Sequence, residues 1–182
     1  MATPSSRLPF PYTPEDLSYT ILREWWEALA TDRGERAELR RADNALRVVF
    51  SPAYHELLQR LQAAGYRLGA RQRERLAVIA GLAAHVRHHP GHARSLATQM
   101  GSVPPGGAKP PVSELRFRRL LATDDLDDLY TQLRRAISLL DGTANLVDLA
   151  RVLWRWQPIA MQNPGDPRKG WAYDYYAVAP PP

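Results

Sequence analysis

Apolar residues along this chain recur at helical rather than alternating spacing, and the polar residues between them carry the start and stop signals of short helices. Thr13, Pro14 and Asp16 read as a cap, an N1 proline and a first-turn acid for a helix ending near Thr31, with Tyr19, Leu22, Trp26 and Leu29 on one face. A second helix is expected from just after Gly34 to about Arg47, with Leu39, Ala42 and Leu46 inward. Ser51-Pro52 opens a third, which Gly65 closes. From about Arg71 to Arg87 the run LAVIAGLAAHV is apolar almost all the way round, the pattern of a helix buried on every side.

A short helix around His92 to Met100 leads into PPGGAKPP, residues 104–111, which has no periodicity and reads as a flexible linker. Beyond it, Ser113 caps ELRFRRLLA, where Phe117, Leu120 and Leu121 form an i, i+3, i+4 stripe. Thr123 is expected to cap a helix carrying Leu126, Leu129, Tyr130, Leu133, Ile137 and Leu140, ending at Gly142. A last apolar helix spans about Thr143 to Trp156. The predicted fold is therefore all-α, a compact helical bundle or two small helical subdomains joined by the Pro/Gly-rich linker: residues 1–103, the linker 104–111, residues 112–157, and a tail 158–182 rich in Pro, Gly and Tyr.

A chain of 182 residues with 45% hydrophobic and 24% charged residues can build a core without staples, and it has no cysteine for a disulfide or thiolate site. No apolar run is long enough to span a bilayer, and the N-terminus lacks the pattern of a secretory signal, so a soluble, cytoplasmic protein without a membrane partner is expected. The net charge is only +5, but 22 of the 24 basic residues are Arg, the exceptions being Lys109 and Lys169. Arg presents a planar fork that grips phosphate bidentately, although GC-rich codon usage also enriches it. Position separates the two explanations. Between Arg33 and Arg75 ten Arg face five acids, an excess of +5 in that stretch alone.

Helical spacing puts Arg33, Arg36, Arg40 and Arg47 on one side of the second predicted helix, with Arg41 flanking, a line that could follow a phosphodiester backbone. The plainer alternative is a solvated face neutralised by Glu35 and Asp43. A second basic set, Arg116, Arg118, Arg119, Arg134 and Arg135, comes from the two helices after the linker. His85, His88, His89 and His92 have spacings that can share a metal, but Pro90-Gly91 breaks the helix within the cluster, and no metal site is assigned. Asp124, Asp125, Asp127 and Asp128 fit the first turn of a helix, where acids complement the dipole, better than a two-metal nuclease. Trp154, Trp156, Trp171, Tyr173, Tyr175 and Tyr176 could stack on bases, against the plainer reading of core packing and tail docking. Walker A, GxGxxG, GxSxG and Ser/His/Asp signatures are absent, so no cofactor and no common enzyme class is implied.

Taken in order, EWWEAL, GERAELRRA, the buried helix, SLATQMG, VSELRFRRLLA, LYTQLRRAISLL and NLVDLARVLWRW resemble the CasB family, the small subunit of the type I-E CRISPR surveillance complex, Cascade. The resemblance runs from about Leu22 to Trp156, leaving the N-terminal extension, PPGGAKPP and the tail unmatched. It implies an all-helical, non-catalytic protein that sits as a pair of copies among the other Cascade subunits, beside the crRNA and the opened target DNA. There it would hold target and displaced strands through their backbones and stabilise the R-loop. Carried over by motif, the nucleic-acid-binding residues are Arg40 and Arg41 of ELRRA, Arg116, Arg118 and Arg119 of SELRFRRLL, and Arg134 and Arg135 of QLRRA, to which the arginine line of the second predicted helix adds Arg36. Arg71 and Arg73 match a further basic position, the spacing allowing either. A helix-turn-helix regulator is the competing reading, disfavoured because the arginines spread over at least three helices. A metal hydrolase and a purely protein-binding scaffold are the others.

Overall fold

The computed structural model describes residues 7–91, 94–161 and 163–180; His92 of the histidine cluster lies outside them. Among the described residues there are ten α-helices, one 3-10 turn and no strand, so the fold is all-α. The chain divides into two compact units between Ala84 and His85, and residues 104–111 fall inside the second.

The first unit holds α1 (Leu17–Thr31), α2 (Arg33–Arg41), α3 (Ala45–Val49), α4 (Pro52–Ala63) and α5 (Ala70–His85, whose last residue begins the second unit). Asp16, not Thr13, caps α1: its buried carboxylate accepts from Ser18 N at 2.9 Å, from the Ser18 and Tyr66 hydroxyls, and from Arg7. Thr13 instead closes the turn before it, accepting from Asp16 N. The inward tryptophan of α1 is Trp25, fully buried, and not Trp26. Its indole N–H donates to Ala53 O of α4 at 2.9 Å, the partner that a buried indole needs.

The single helix expected from Gly34 to Arg47 is two. α2 ends at Ala42, whose backbone is extended (ψ 129°), and Asn44 then caps α3 by accepting from Arg47 N at 2.9 Å. An Asn side chain competes with the helix for backbone donors, which is why it stands at a boundary. The new register buries Ala45 and Val48 and turns Leu46 out, 64% exposed, where continuity had placed it inward. Ser51-Pro52 opens α4 as expected, and Gly65, at φ +90°, supplies the left-handed step after it. In α5 every residue from Leu76 to Ala84 is buried, the outcome its unbroken apolar run foretells.

The second unit holds α6 (Leu96–Gly101), α7 (Glu114–Leu121), α8 (Leu126–Leu139), α9 (Leu146–Arg155), the 3-10 turn Ile159–Met161 and α10 (Pro167–Val178). α8 is capped by Asp125, which accepts from Asp127 N and Asp128 N; Thr123 turns its hydroxyl back to Arg119 O. The tail, for which no order could be read from sequence, forms α10. Asp166 caps it and Pro167 takes its first turn.

That helix is tied in by polar groups as well as rings. Asp148 of α9, 3% exposed, accepts from Leu96 N of α6 at 2.8 Å and from Trp171 Nε1 of α10 at 2.9 Å, and pairs with Arg151. Arg168 lies 4.3 Å over the Trp156 ring, donates to Thr123 O and pairs with Asp124 and Asp166. Tyr175 stacks on Phe117 with centroids 3.9 Å apart, and its hydroxyl donates to Val112 O. Gly101 lets α6 and α10 touch, since a Cβ there would lie 2.8 Å from Tyr175 O.

Candidate nucleic-acid interface

In α7, Phe117 and Leu120 are the buried positions, which leaves Arg116 and Arg119 together on one flank and Arg118 on the other. In α8, Gln132, Arg135, Ala136 and Leu139 share a flank by the same i, i+3, i+4 rule. These two flanks meet in a groove of about 300 Å³. Arg116, Arg119, Gln132 and Arg135 line it over an apolar floor that includes Val112 and Leu120.

Arg116, Arg119 and Arg135 are exposed, and among the described residues none of them makes an ion pair. Two of the nearby acids are committed elsewhere. Asp124 accepts from Arg168 and from Ile159 N, and Asp125 caps α8. Three guanidinium groups facing one small groove repel one another and present forks of donors without acceptors, the arrangement that takes up an oxyanion such as a phosphate.

The remaining candidate arginines are not brought to this groove. Arg118 and Arg134 lie off its lining. In the first unit, Arg36 is half-buried and its Nε donates to Ala84 O at 3.1 Å, closing a carbonyl at the end of α5. Arg40 and Arg41 are exposed at the end of α2. Arg47 belongs to α3, so the four-arginine line drawn on one continuous helix does not exist. Arg71 and Arg73 are exposed in the first turn of α5, and Arg73 Nε donates to Leu68 O at 3.1 Å. At about 1.5 Å per residue they stand roughly 20 Å along α5 from the carbonyl that holds Arg36.

A second groove, of about 680 Å³, opens around the start of α7, and Arg116 lines this one too. Lys109, Tyr175 and Tyr176 also line it. Tyr176 donates to Glu114 Oε1 at 3.2 Å. Burial first, then the charge and hydrogen bond of Glu114, push the Tyr176 hydroxyl up, against the opposing charge of Arg118, so it is a neutral donor at physiological pH. Sequence reasoning passed over Gln132 and Lys109. The spacing of Gln132 to Arg135 was a usable signal for the first, whereas a lone lysine in a Pro/Gly stretch carries none. Of the aromatic residues considered for stacking, Trp154, Trp156, Trp171 and Tyr175 are core, while Tyr173 and Tyr176 reach the surface. Among the described residues no three His, Asp or Glu side chains gather to hold a metal, and no helix is long and apolar enough to cross a membrane. His89 Nδ1 accepts instead from Leu146 N at 3.3 Å.

A family model described as CRISPR-associated protein Cse2 matches residues 35–176. That span starts after the EWWEAL helix and runs past Trp156 into α10, so the helical tail belongs to the shared architecture although its motifs alone did not carry the likeness. The structure is similar to the crystal structure of CasB from Thermus thermophilus, with a TM-score of 0.63 and 25% sequence identity, covering 88% of this chain and 97% of that one. No curated protein matches.

Proposed function

The chain belongs to the Cse2 (CasB) family of CRISPR-associated proteins, and from that membership we propose that it acts in Cascade as a non-catalytic subunit that holds nucleic acid by its backbone. The observation that carries this reading is the convergence of Arg116, Arg119 and Arg135 on one groove with no carboxylate partner. Phosphates of the crRNA, the target or the displaced strand would lie along it, with Arg40, Arg41, Arg71 and Arg73 as further contacts on the first unit.

Such contacts carry no sequence information, which suits a complex whose guide does the reading. Replacing a DNA duplex by an RNA–DNA hybrid is nearly balanced in free energy, so a few protein–phosphate contacts decide whether the R-loop persists. The partners are the other Cascade subunits and a second copy of this chain, whose proximity raises the effective concentration of each weak contact.

The test is a salt titration of binding to labelled single-stranded DNA, RNA and duplex by the full chain and by Arg116→Ala/Arg119→Ala/Arg135→Ala. Three neutralised phosphates contribute about −2 to the slope of log K against log salt on a single strand. The triple variant should lose about that much of the slope, and its binding should depend correspondingly less on salt. An unchanged slope and affinity would mean that the three arginines are a solvated surface, and the protein would then be read as an assembly scaffold.

A further inference from the structure

We propose that the groove around the start of α7 is a stacking site for an unpaired base, so that this unit takes hold of single-stranded in preference to duplex nucleic acid. The proposal rests on the backbone-holding function above and adds to it the form of the ligand.

The groove has about 680 Å³, inside the roughly 300–1,000 Å³ range of sites that enclose a small organic group. Tyr176, a half-exposed residue, lines it. That ring is not a loose surface tyrosine. It meets Tyr175 edge-on with centroids 5.4 Å apart and Phe117 edge-on at 6.3 Å, and its hydroxyl is tethered to Glu114. Tyr175 beneath it is fully buried, stacked on Phe117 and anchored to Val112 O. An aromatic face held in one orientation loses little entropy when a second flat group lies on it, and every nucleobase has such a face.

Charge selects the same occupant. Lys109 and Arg116 line the groove against one acid, Glu114, whose carboxylate already accepts from Tyr176, so a ligand meets an excess of positive charge around an aromatic floor. Continuity strengthens the argument. Arg116 lines both grooves, so a strand whose phosphate sits on Arg116, Arg119 and Arg135 has the Tyr176 ring beside it. A base can enter only if it has left its partner, which excludes an intact duplex. A proline-rich peptide also favours aromatic grooves but has no use for the adjoining arginine groove.

The experiment uses the full chain and oligo(dT) beside an abasic strand of equal length and charge, with a 2-aminopurine strand to report stacking. The wild type should bind oligo(dT) on the order of 5- to 100-fold more tightly than the abasic strand and should quench 2-aminopurine. Tyr176→Ala should bring oligo(dT) down to the abasic level with the salt slope unchanged, while Tyr176→Phe should retain binding and quenching. Equal binding of abasic and normal strands by the wild type would overturn the stacking site and leave the arginine groove standing. No binding of either strand would overturn both. Binding of a polyproline peptide that Tyr176→Ala abolishes, without any base effect, would assign the groove to a protein partner and overturn the proposal. The abasic comparison needs no variant, so a folding defect in Tyr176→Ala cannot mask the result.

Discussion

Replacing Asp148 by Ala should unfasten three helices at once. The carboxylate is 3% exposed and accepts from Leu96 N, the first residue of α6, and from Trp171 Nε1 of α10. Alanine leaves both donors buried without an acceptor, and each such orphan costs about 1–3 kcal/mol. The ion pair with Arg151 adds little, because that arginine side chain is 35% exposed and water takes over its charge. The expected loss is therefore about 2–6 kcal/mol. For a chain of this length about 2–4 °C of melting temperature follows each kcal/mol, so a fall on the order of 10 °C is expected in a thermal melt. Asp148→Asn keeps one carbonyl oxygen and should lose less than half as much. Trp171→Phe takes away one of the two donors that Asp148→Ala would orphan, so combining the two should cost less than their sum. Hydrogen exchange in α6 and α10 should accelerate more than in α1 or α4. A melt of Asp148→Ala within about 1 kcal/mol of the wild type, with additive double-mutant behaviour, would refute the idea that this carboxylate is what joins α9 to its neighbours.

Gly101→Ala should lower stability by about 1–3 kcal/mol despite the better helix propensity of alanine, since its Cβ would meet Tyr175 O at 2.8 Å and the Tyr175 ring at 3.0 Å; a urea midpoint measures it, and an unchanged midpoint would deny the close approach of α6 and α10. The carboxyl of Asp16 feels burial first, which raises its pKa, but hydrogen bonds from Ser18, Tyr66 and Arg7 outweigh it and hold the group below its ordinary value. Its stabilising contribution is then present above the unfolded value of about 3.9 and lost as pH falls through the lower folded value, so Asp16→Asn should flatten the acid limb of a stability profile below about pH 4. Arg36→Ala should cost about 1 kcal/mol in a melt by leaving Ala84 O without its donor, whereas Arg40→Ala/Arg41→Ala should leave the melt within about 0.5 kcal/mol and show only in nucleic-acid binding.

The places where the chain misled a linear reading have physical causes. Trp25 and Trp26 both lie near the Tyr19/Leu22/Leu29 face of α1, and it is Trp25 whose indole finds Ala53 O of α4, a partner far away in sequence. Asn44 resembles any polar residue in a helix until its side chain is seen accepting from Arg47 N, a cap that with the extended Ala42 puts Arg47 on α3, apart from the arginines of α2. The tail carries too few aliphatic residues to announce a helix, because its packing relies on Trp171 and Tyr175 bonded through their polar atoms to Asp148 and Val112.

By itself the sequence determined that this protein is all-α, where most of its helices begin and end, which long run is buried all round, and that its motifs resemble the Cse2 (CasB) family. Those properties follow from periodicity, capping and local composition, which act over one or two turns. Which arginines share a groove was decided only by the tertiary structure. Spacing tells which residues lie on one flank of α7 or of α8, but not which flank faces the other helix. That orientation is set by the burial of Phe117, Leu120, Leu129 and Leu133, contacts made between helices that no single stretch of sequence contains.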